Sequence, residues 1–99
     1  MGYDLFISKN KFIPVESVKG IEFHPKTKEV LVKETIWNFW GWDIAELFDS
    51  EHPTGQISRD DLIEFYKKYC KLKNIPESEY TLERITSDED CFFSYDESY

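Results

Sequence analysis

Basic residues, glycines and histidines are all scarce in this 99-residue sequence. Twelve Lys and Arg stand against 20 Asp and Glu, which gives a formal net charge of −8 and a pI near 4.7. A chain with this excess of acid repels nucleic acid and anionic lipid and favours basic partners. The composition therefore argues against direct nucleic-acid binding and against attachment to a membrane surface.

Long apolar runs are also missing. No stretch approaches the roughly 18 apolar residues of a membrane helix, and the first residues lack the basic start and apolar run of a signal peptide. We therefore expect a cytoplasmic protein. The only cysteines are Cys70 and Cys91, and without a secretory signal we predict that both are reduced.

Groups that carry catalysis are few. His24 and His52 are the only histidines, and the sequence contains neither a nucleophile elbow nor a phosphate-binding glycine loop. Asp60 and Asp61 could be proposed as an acid/base pair, but they fall in the first turn of a predicted helix, where carboxylates favour the helix dipole. We therefore predict that the protein is not an enzyme and uses no cofactor.

Aromatic residues, in contrast, are abundant. They make up 17% of a sequence that is 40% hydrophobic, so the core must be built largely from rings. A chain of this length buries roughly two-thirds of its unfolded surface, which is enough for one modest core. We expect residues 1–99 to form a single domain.

The N-terminal third, about residues 3–34, predicts strands. Residues 3–8 are rich in β-formers, and residues 9–11 indicate a turn. The next stretch, residues 12–18, is an edge strand or an extended loop, because Pro14 lacks the donor of a strand ladder. Residues 21–34 alternate in polarity and predict a hairpin with Pro25 at the second position of its turn.

Two helices are predicted in the middle of the chain. The first, about residues 36–49, has an apolar stripe at a 3.6-residue period, with Phe39 and Trp42 off the stripe and exposed. The second, about residues 58–73, begins with Ser58 as N-cap and Asp61 in the position of a capping box.

The C-terminal part, about residues 80–95, again predicts strands, over residues 80–86 and 91–95, followed by a frayed end. Strands, then two helices, then strands predict an α+β fold. We expect a small antiparallel sheet of about four to five strands with the two helices packed on one face.

The acidic residues are concentrated in two blocks. Residues 36–66 hold seven acids and one Arg, a net charge of −6, and residues 74–99 hold eight acids and one Arg, a net charge of −7. Residues 1–35 hold six Lys and five acids, a net charge of +1, and residues 67–73 hold four Lys. Acidic fields with embedded aromatic residues are typical of surfaces that attract and anchor a basic protein. The predicted contact residues are Trp42, Asp49, Glu51, Asp60, Asp61, Glu64, Tyr66, Tyr95, Asp96 and Glu97.

One loop resembles two known kinds of site. The segment ELFDSEHPTGQISRDDLIEFY resembles an EF-hand, in which oxygen ligands for Ca²⁺ lie between two helices. That resemblance implies a calcium-binding regulatory module as one alternative function. Its ligands would be Asp49, Glu51, Gln56, Ser58 and Asp61.

The same loop, over residues 51–66, is similar to a segment of the small acidic immunity proteins that neutralise DNase colicins. In that family Glu-His-Pro-Ser-Gly leads into Ser-Asp-Leu-Ile and a tyrosine pair; here EHPTG precedes DLIEFY. The resemblance implies that Glu51, Asp61, Leu62, Ile63 and Tyr66 dock on a basic toxin.

Our leading hypothesis is therefore a non-catalytic immunity protein that occludes a basic nuclease toxin, acting as a monomer or weak homodimer. A further alternative is a phage-type anti-defence inhibitor that mimics the charge of DNA.

Overall fold

The computed structural model describes residues 2–99, which form one four-stranded antiparallel sheet with three helices. In chain order the elements are β1 (Asp4–Pro14), a 3-10 turn (Val15–Ser17), β2 (Glu29–Trp40), α1 (Trp42–Phe48), β3 (Thr54–Ile57), α2 (Arg59–Lys73), α3 (Glu79–Thr86) and β4 (Cys91–Ser98). The predicted α+β class and the antiparallel sheet are confirmed, with three helices instead of two. In the described part of the chain, no helix has both the length and the apolar character to span a membrane.

The strand order is β2-β1-β4-β3, so β1 and β4 lie in the centre and β2 and β3 form the edges. Leu5 of β1 lies opposite Phe39 of β2, and Ile7 lies between Trp37 of β2 and Tyr95 of β4. Directly opposed residues share one side of a sheet. We call the side that carries these residues the helix face, because the helices pack against it, and the other side the back face.

Aromatic rings connect the helix face to α2. Phe39 contacts both Phe65 and Tyr69 edge-on, at centroid distances of 5.3 and 4.7 Å, while Trp37 stacks on Tyr66 at 5.7 Å. Such ring pairs contribute beyond the area that they bury. The buried core cluster consists of Tyr3, Leu5, Ile7, Phe39, Ile44, Leu62, Phe65, Ile85 and Phe93.

The prediction of a helix over residues 36–49 is wrong in its first part. β2 continues to Trp40, and the helix begins only after Gly41, whose φ of 113° suits glycine and breaks the strand. Alternation explains the strand: Phe39 is buried on the helix face, while Trp40 is 74% exposed. The prediction that Phe39 is exposed is therefore also wrong, whereas Trp42 is exposed as predicted.

The prediction of a strand over residues 80–86 is wrong as well, because this segment is α3. Ser78 caps the helix by accepting a hydrogen bond from the backbone N–H of Thr81 at 3.4 Å. Leu82 and Ile85, three residues apart, turn one apolar side toward the core, with Ile85 fully buried. β-formers in this stretch are thus outweighed by the cap and the helical spacing.

In the N-terminal third, the strand predicted at residues 3–8 exists but continues through the expected turn to Pro14. Asn10 is held inside the sheet, where its side-chain amide donates to Ser94 Oγ at 2.9 Å. The turn at Pro25 is confirmed by a hydrogen bond from Thr27 N–H to the His24 carbonyl at 2.8 Å. Residues 21–23 form no strand, so the predicted hairpin is wrong: β2 pairs with β1 instead.

The helix predicted over residues 58–73 and the strand over residues 91–95 are confirmed. β4 extends beyond the prediction to Ser98, so the expected frayed end is paired with β1. Both cysteines are free, as predicted.

β4 begins opposite Lys11, so β1 and β2 continue past it as a two-stranded ribbon. Residues 12–14 pair there with residues 29–31, and we call these two paired segments the β1–β2 ribbon.

Candidate functional site

A cleft of about 320 Å³ opens on the helix face between α1, β3 and α2. We call it the acidic cleft. Its lining combines an apolar floor with polar and charged side chains at the rim: Leu47, Phe48, Ser50, Gln56, Ile57, Asp61, Glu64, Phe65, Lys68 and Tyr95. It therefore falls in the loop region where the contact surface is predicted from the sequence.

The end of α1, the strand β3 and the start of α2 form the walls of the cleft, and local features of the sequence fix each of them. α1 ends at Phe48, and Asp49 adopts a left-handed conformation with φ of 47° that turns the chain away from the helix. β3 then joins the sheet edge, and Ser58 caps α2 by accepting from the backbone N–H of Asp61 at 3.1 Å. Asp61 and Glu64 are three residues apart, so they point from the same side of α2.

Three rings form the floor. Phe48 lies between Phe65 and Tyr95, with edge-on contacts at centroid distances of 5.3 and 4.8 Å. Tyr95 can lie close to β3 only because residue 55 is glycine. A Cβ atom added to Gly55 would stand 2.8 Å from Tyr95 Oη.

The carboxylates at the rim remain accessible to a partner. Asp61 is exposed, and Glu64 forms an ion pair with Lys68 at 3.1 Å whose side chains are 65% and 58% exposed. An exposed pair at this helical spacing contributes little to stability. Glu64 can therefore exchange its partner at low cost.

Three more predicted contact residues, Asp49, Glu51 and Asp60, are exposed in the segment that leads from α1 to α2. Together with the cleft residues Asp61 and Glu64 they give five exposed acids between residues 49 and 64, although only Asp61 and Glu64 line the cleft. This half of the predicted contact surface is an accessible acidic region.

Tyr66 does not belong to that surface, which corrects the prediction. It is buried, its ring stacks on Trp37, and its hydroxyl accepts a hydrogen bond from Ser78 N–H at 2.8 Å. Leu62, implied by the immunity-protein resemblance, is fully buried too. Both residues join α2 to the rest of the core and cannot touch a partner.

Glu97 is likewise used inside the molecule. Its carboxylate accepts hydrogen bonds from the hydroxyls of Tyr3 and Ser50 and so ties β4 to the residue before β1 and to the loop after α1. Burial, followed by the hydrogen bond to Glu97, raises the pKa of Tyr3 well above its usual range. Glu97 is therefore a structural acceptor, not a free contact residue.

The remaining predicted residues lie elsewhere. Asp96 projects from the back face, where it pairs with Lys33 at 3.0 Å. Trp42 is 56% exposed at the start of α1, next to Tyr3 and Tyr99 at centroid distances of 5.7 and 6.3 Å. The cleft adjoins the other end of α1, so Trp42 lies outside it. Asp96 lies outside it as well, because the cleft is on the helix face.

The apolar part of the cleft, formed by Leu47, Phe48 and Phe65, was not among the predicted contact residues. All three pack in the core region and also line the opening. Their double role depends on how α1, α2 and β3 pack together, which periodicity alone does not reveal.

The calcium ligands implied by the EF-hand resemblance do not surround a common point in the structure. Gln56 lies in β3 opposite Ser94, and the Ser58 hydroxyl caps α2. Among residues 2–99, no three or more His, Cys, Asp and Glu side chains come together as a metal site would require. Asp49, Glu51 and Asp61 therefore do not form a metal-ligating cluster.

Comparison with known proteins gave no match: no family model matches the chain, and no curated protein and no solved structure is significantly similar. Both resemblances of the loop remain predictions from a short stretch of sequence. The candidate site is defined by its own geometry, an acidic cleft with an aromatic floor.

Proposed function

We propose that this chain is a non-catalytic acidic protein that binds a basic protein partner through the acidic cleft and inhibits it. The observation that carries the proposal is the cleft itself, in which Asp61 and Glu64 stand above the rings of Phe48, Phe65 and Tyr95. An apolar floor below exposed carboxylates is complementary to the side chains of Lys and Arg.

The chemistry of such a contact is specific. Lys and Arg have apolar stems that pack on hydrophobic surface while their charged ends stay with polar groups. A guanidinium group can also lie over an aromatic ring. An arginine of the partner would place its stem against the floor and its charge beside Asp61 and Glu64. The planar fork of arginine suits carboxylates better than the single ammonium of lysine does.

The partner class that fits best is a nuclease, and the inhibitor would then act as an immunity protein against a toxin. A nuclease holds the phosphate backbone with clustered Lys and Arg. The two acidic blocks of this chain carry net charges of −6 and −7, so they attract such a surface and speed association. Bound there, the chain occludes the nucleic-acid site.

The proposal assigns no residue a catalytic role. Within residues 2–99, the pKa values of Tyr3, Lys11, Asp43 and Asp88 are shifted, and each of these groups is paired within the fold. Lys73 holds the pKa of Asp43 below its usual range, and Lys11 does the same for Asp88. None of the four lines the acidic cleft.

The experiment is an inhibition assay with a panel of purified basic nuclease domains from bacterial toxins and a plasmid substrate. We expect stoichiometric inhibition of at least one nuclease by the wild-type chain. The variant Asp61→Asn/Glu64→Gln should need a concentration at least about tenfold higher, because truncating charge partners at an interface weakens binding.

The matched control is Glu16→Gln/Glu22→Gln, which removes the same charge from exposed positions outside the cleft. It should inhibit as the wild type does. No inhibition of any nuclease in the panel, or equal loss in both variants, would contradict the proposal.

A further inference from the structure

The outer edge of β2 carries charges that are complementary to themselves: read backwards, each charged position about Leu31 has the opposite sign. Residues 28–34 read KEVLVKE, and β2 forms one end of the strand order, with β1 as its neighbour. The ladder to β1 extends to Lys28, whose carbonyl accepts from Val15 N–H at 3.0 Å. The opposite side of this stretch therefore presents backbone donors and acceptors in an extended conformation, the template onto which another strand can add.

A second copy of the same stretch fits that edge when it runs antiparallel with Leu31 opposite Leu31. Glu29 then meets Lys33 of the other copy, and Lys28 meets Glu34. Val30 meets Val32 between them. Because two-fold symmetry makes each of these contacts twice, four pairs of opposite charge surround a central apolar patch.

We propose that two copies of this chain pair through residues 28–34 of β2, in the register centred on Leu31. The sheet becomes continuous across the two-fold axis, with four strands from each copy. The helix faces of both copies lie on the same side, because an axis perpendicular to the sheet keeps directly opposed residues on one face.

Neighbouring registers are much less favourable. A centre at Val30 or Val32 sets charged side chains against apolar ones, and a centre at Lys33 or Glu34 sets like charges against each other. Like charges directly opposite each other across strands are destabilising, whereas opposite charges stabilise. The charge pattern of residues 28–34 therefore favours the register centred on Leu31 over its neighbours. Randomly placed charges would favour no single register.

Exposure and charge support the same contact. Leu31 and Val32 are 51% and 44% exposed, so pairing removes apolar surface from water. Residues 1–35 carry a net charge of only +1 in a chain of −8, so a second copy meets less repulsion here than at either of the two acidic blocks. Existing ion pairs of Lys33 with Asp96 and of Glu34 with Arg84 are exposed and weak enough to be shared.

This inference is independent of the proposed function. The acidic cleft adjoins β3, at the other edge of the sheet, so the order β2-β1-β4-β3 leaves both clefts of a dimer open. Failure of one proposal does not affect the other.

Sedimentation equilibrium of the full chain tests the proposal. Seven residues per strand form a small contact, so we expect a reversible dimer with a dissociation constant of about 100 µM, observable between about 10 µM and 1 mM. Glu29→Lys should raise the dissociation constant about tenfold or more, because it places two like charges opposite each other at two symmetric positions. Melting temperature and circular dichroism confirm that each variant is folded.

The double variant Glu29→Lys/Lys33→Glu decides the register. It exchanges the two charges, restores opposite signs across the axis and should return the dissociation constant to within about threefold of wild type. Glu22→Lys, the same charge change in an exposed loop, should have no effect beyond about twofold. A chain that stays monomeric at about 1 mM, or a dimer that Glu29→Lys leaves intact or the double variant fails to rescue, would overturn the proposal.

Discussion

At the scale of single residues, two small networks hold the segments that frame the acidic cleft and the ribbon. Glu97 joins Tyr3 to Ser50. Asp88 accepts from Lys11 at 2.9 Å and lies 3.8 Å from Lys9, so it ties the start of β4 to β1. Each network links residues that are far apart in sequence, and each can be removed by changing a single group.

Tyr3→Phe removes the hydroxyl that donates to Glu97 and keeps the buried ring. We expect the free energy of unfolding to fall by about 1 to 3 kcal/mol, because the carboxylate loses a hydrogen bond in a partly buried position. Urea denaturation measures the change. Tyr99→Phe is the matched control, since Tyr99 is 69% exposed, and an equal loss in the control would contradict the role of Glu97.

Asp88→Asn should change how stability depends on pH. Lys11 holds the pKa of Asp88 below its usual range, so the stabilisation by this pair is present above the unfolded value of about 4 and is lost as pH falls through the folded pKa. The pKa of Lys11 is raised by the same contact, so the stabilisation is also lost as pH rises through that folded value. The difference in stability between wild type and Asp88→Asn should therefore be largest between these limits.

Thermal unfolding in steps from about pH 2 to pH 7 tests the acid limb. Glu89→Gln, at an exposed neighbouring position, should follow the wild-type curve. A constant difference between Asp88→Asn and wild type over the whole range would contradict the assignment.

At the scale of elements, the cleft depends on the close approach of β3 to Tyr95. Gly55→Ala places a methyl group within 3.0 Å of the Tyr95 ring and hydroxyl, so Tyr95 must move away from the cleft floor. We expect a loss of about 1 to 3 kcal/mol in stability from this overpacking and a weaker complex with any cleft partner. Gly2→Ala has open space around it and serves as control; unchanged stability and binding in Gly55→Ala would show that Tyr95 does not shape the site.

The elements also show what the sequence could predict. α2 was predictable because Ser58 and Asp61 mark its start and Lys71 and Lys73 its end. The conformation of residues 36–40 was not predictable. Trp37 and Trp40 are three residues apart, which suits a helix, while Trp37 and Phe39 are two apart, which equally suits a strand. What decides the conformation is the long-range pairing of Trp37 and Phe39 with β1, together with the break at Gly41.

The residues of the candidate site were likewise predictable only in part. Acidic rim residues such as Asp61 and Glu64 were predictable from the clustered charge and the helix start. The buried position of Tyr66 and the internal use of Glu97 were not, because both depend on contacts across the fold, with Ser78 and with Tyr3. Composition indicates the charge of a surface, whereas tertiary contacts determine which carboxylates are free.

At the scale of the whole molecule, the two proposed contacts lie at opposite edges of the sheet. The acidic cleft adjoins β3, whereas residues 28–34 of β2 form the other edge. Such a molecule can present acid to a basic partner at one edge and pair with a copy of itself at the other. The two contacts do not compete for the same surface.

Acid concentrated near the cleft should make association with a basic partner depend strongly on salt. For a nuclease from the inhibition panel, we expect the association rate to fall at least about tenfold between about 50 and 500 mM salt. Stopped-flow measurements of tryptophan fluorescence give this rate. A rate that does not change with salt would exclude electrostatic steering as the origin of recognition.

The central claim is that a basic partner is held by the carboxylates of the cleft. The most direct test is the dissociation constant of the complex with an inhibited nuclease, measured by isothermal titration for the wild type, Asp61→Asn/Glu64→Gln and Glu16→Gln/Glu22→Gln. We predict that the cleft variant binds about tenfold to 100-fold more weakly, while the control stays within about twofold of wild type. Equal affinities in all three proteins would contradict the claim.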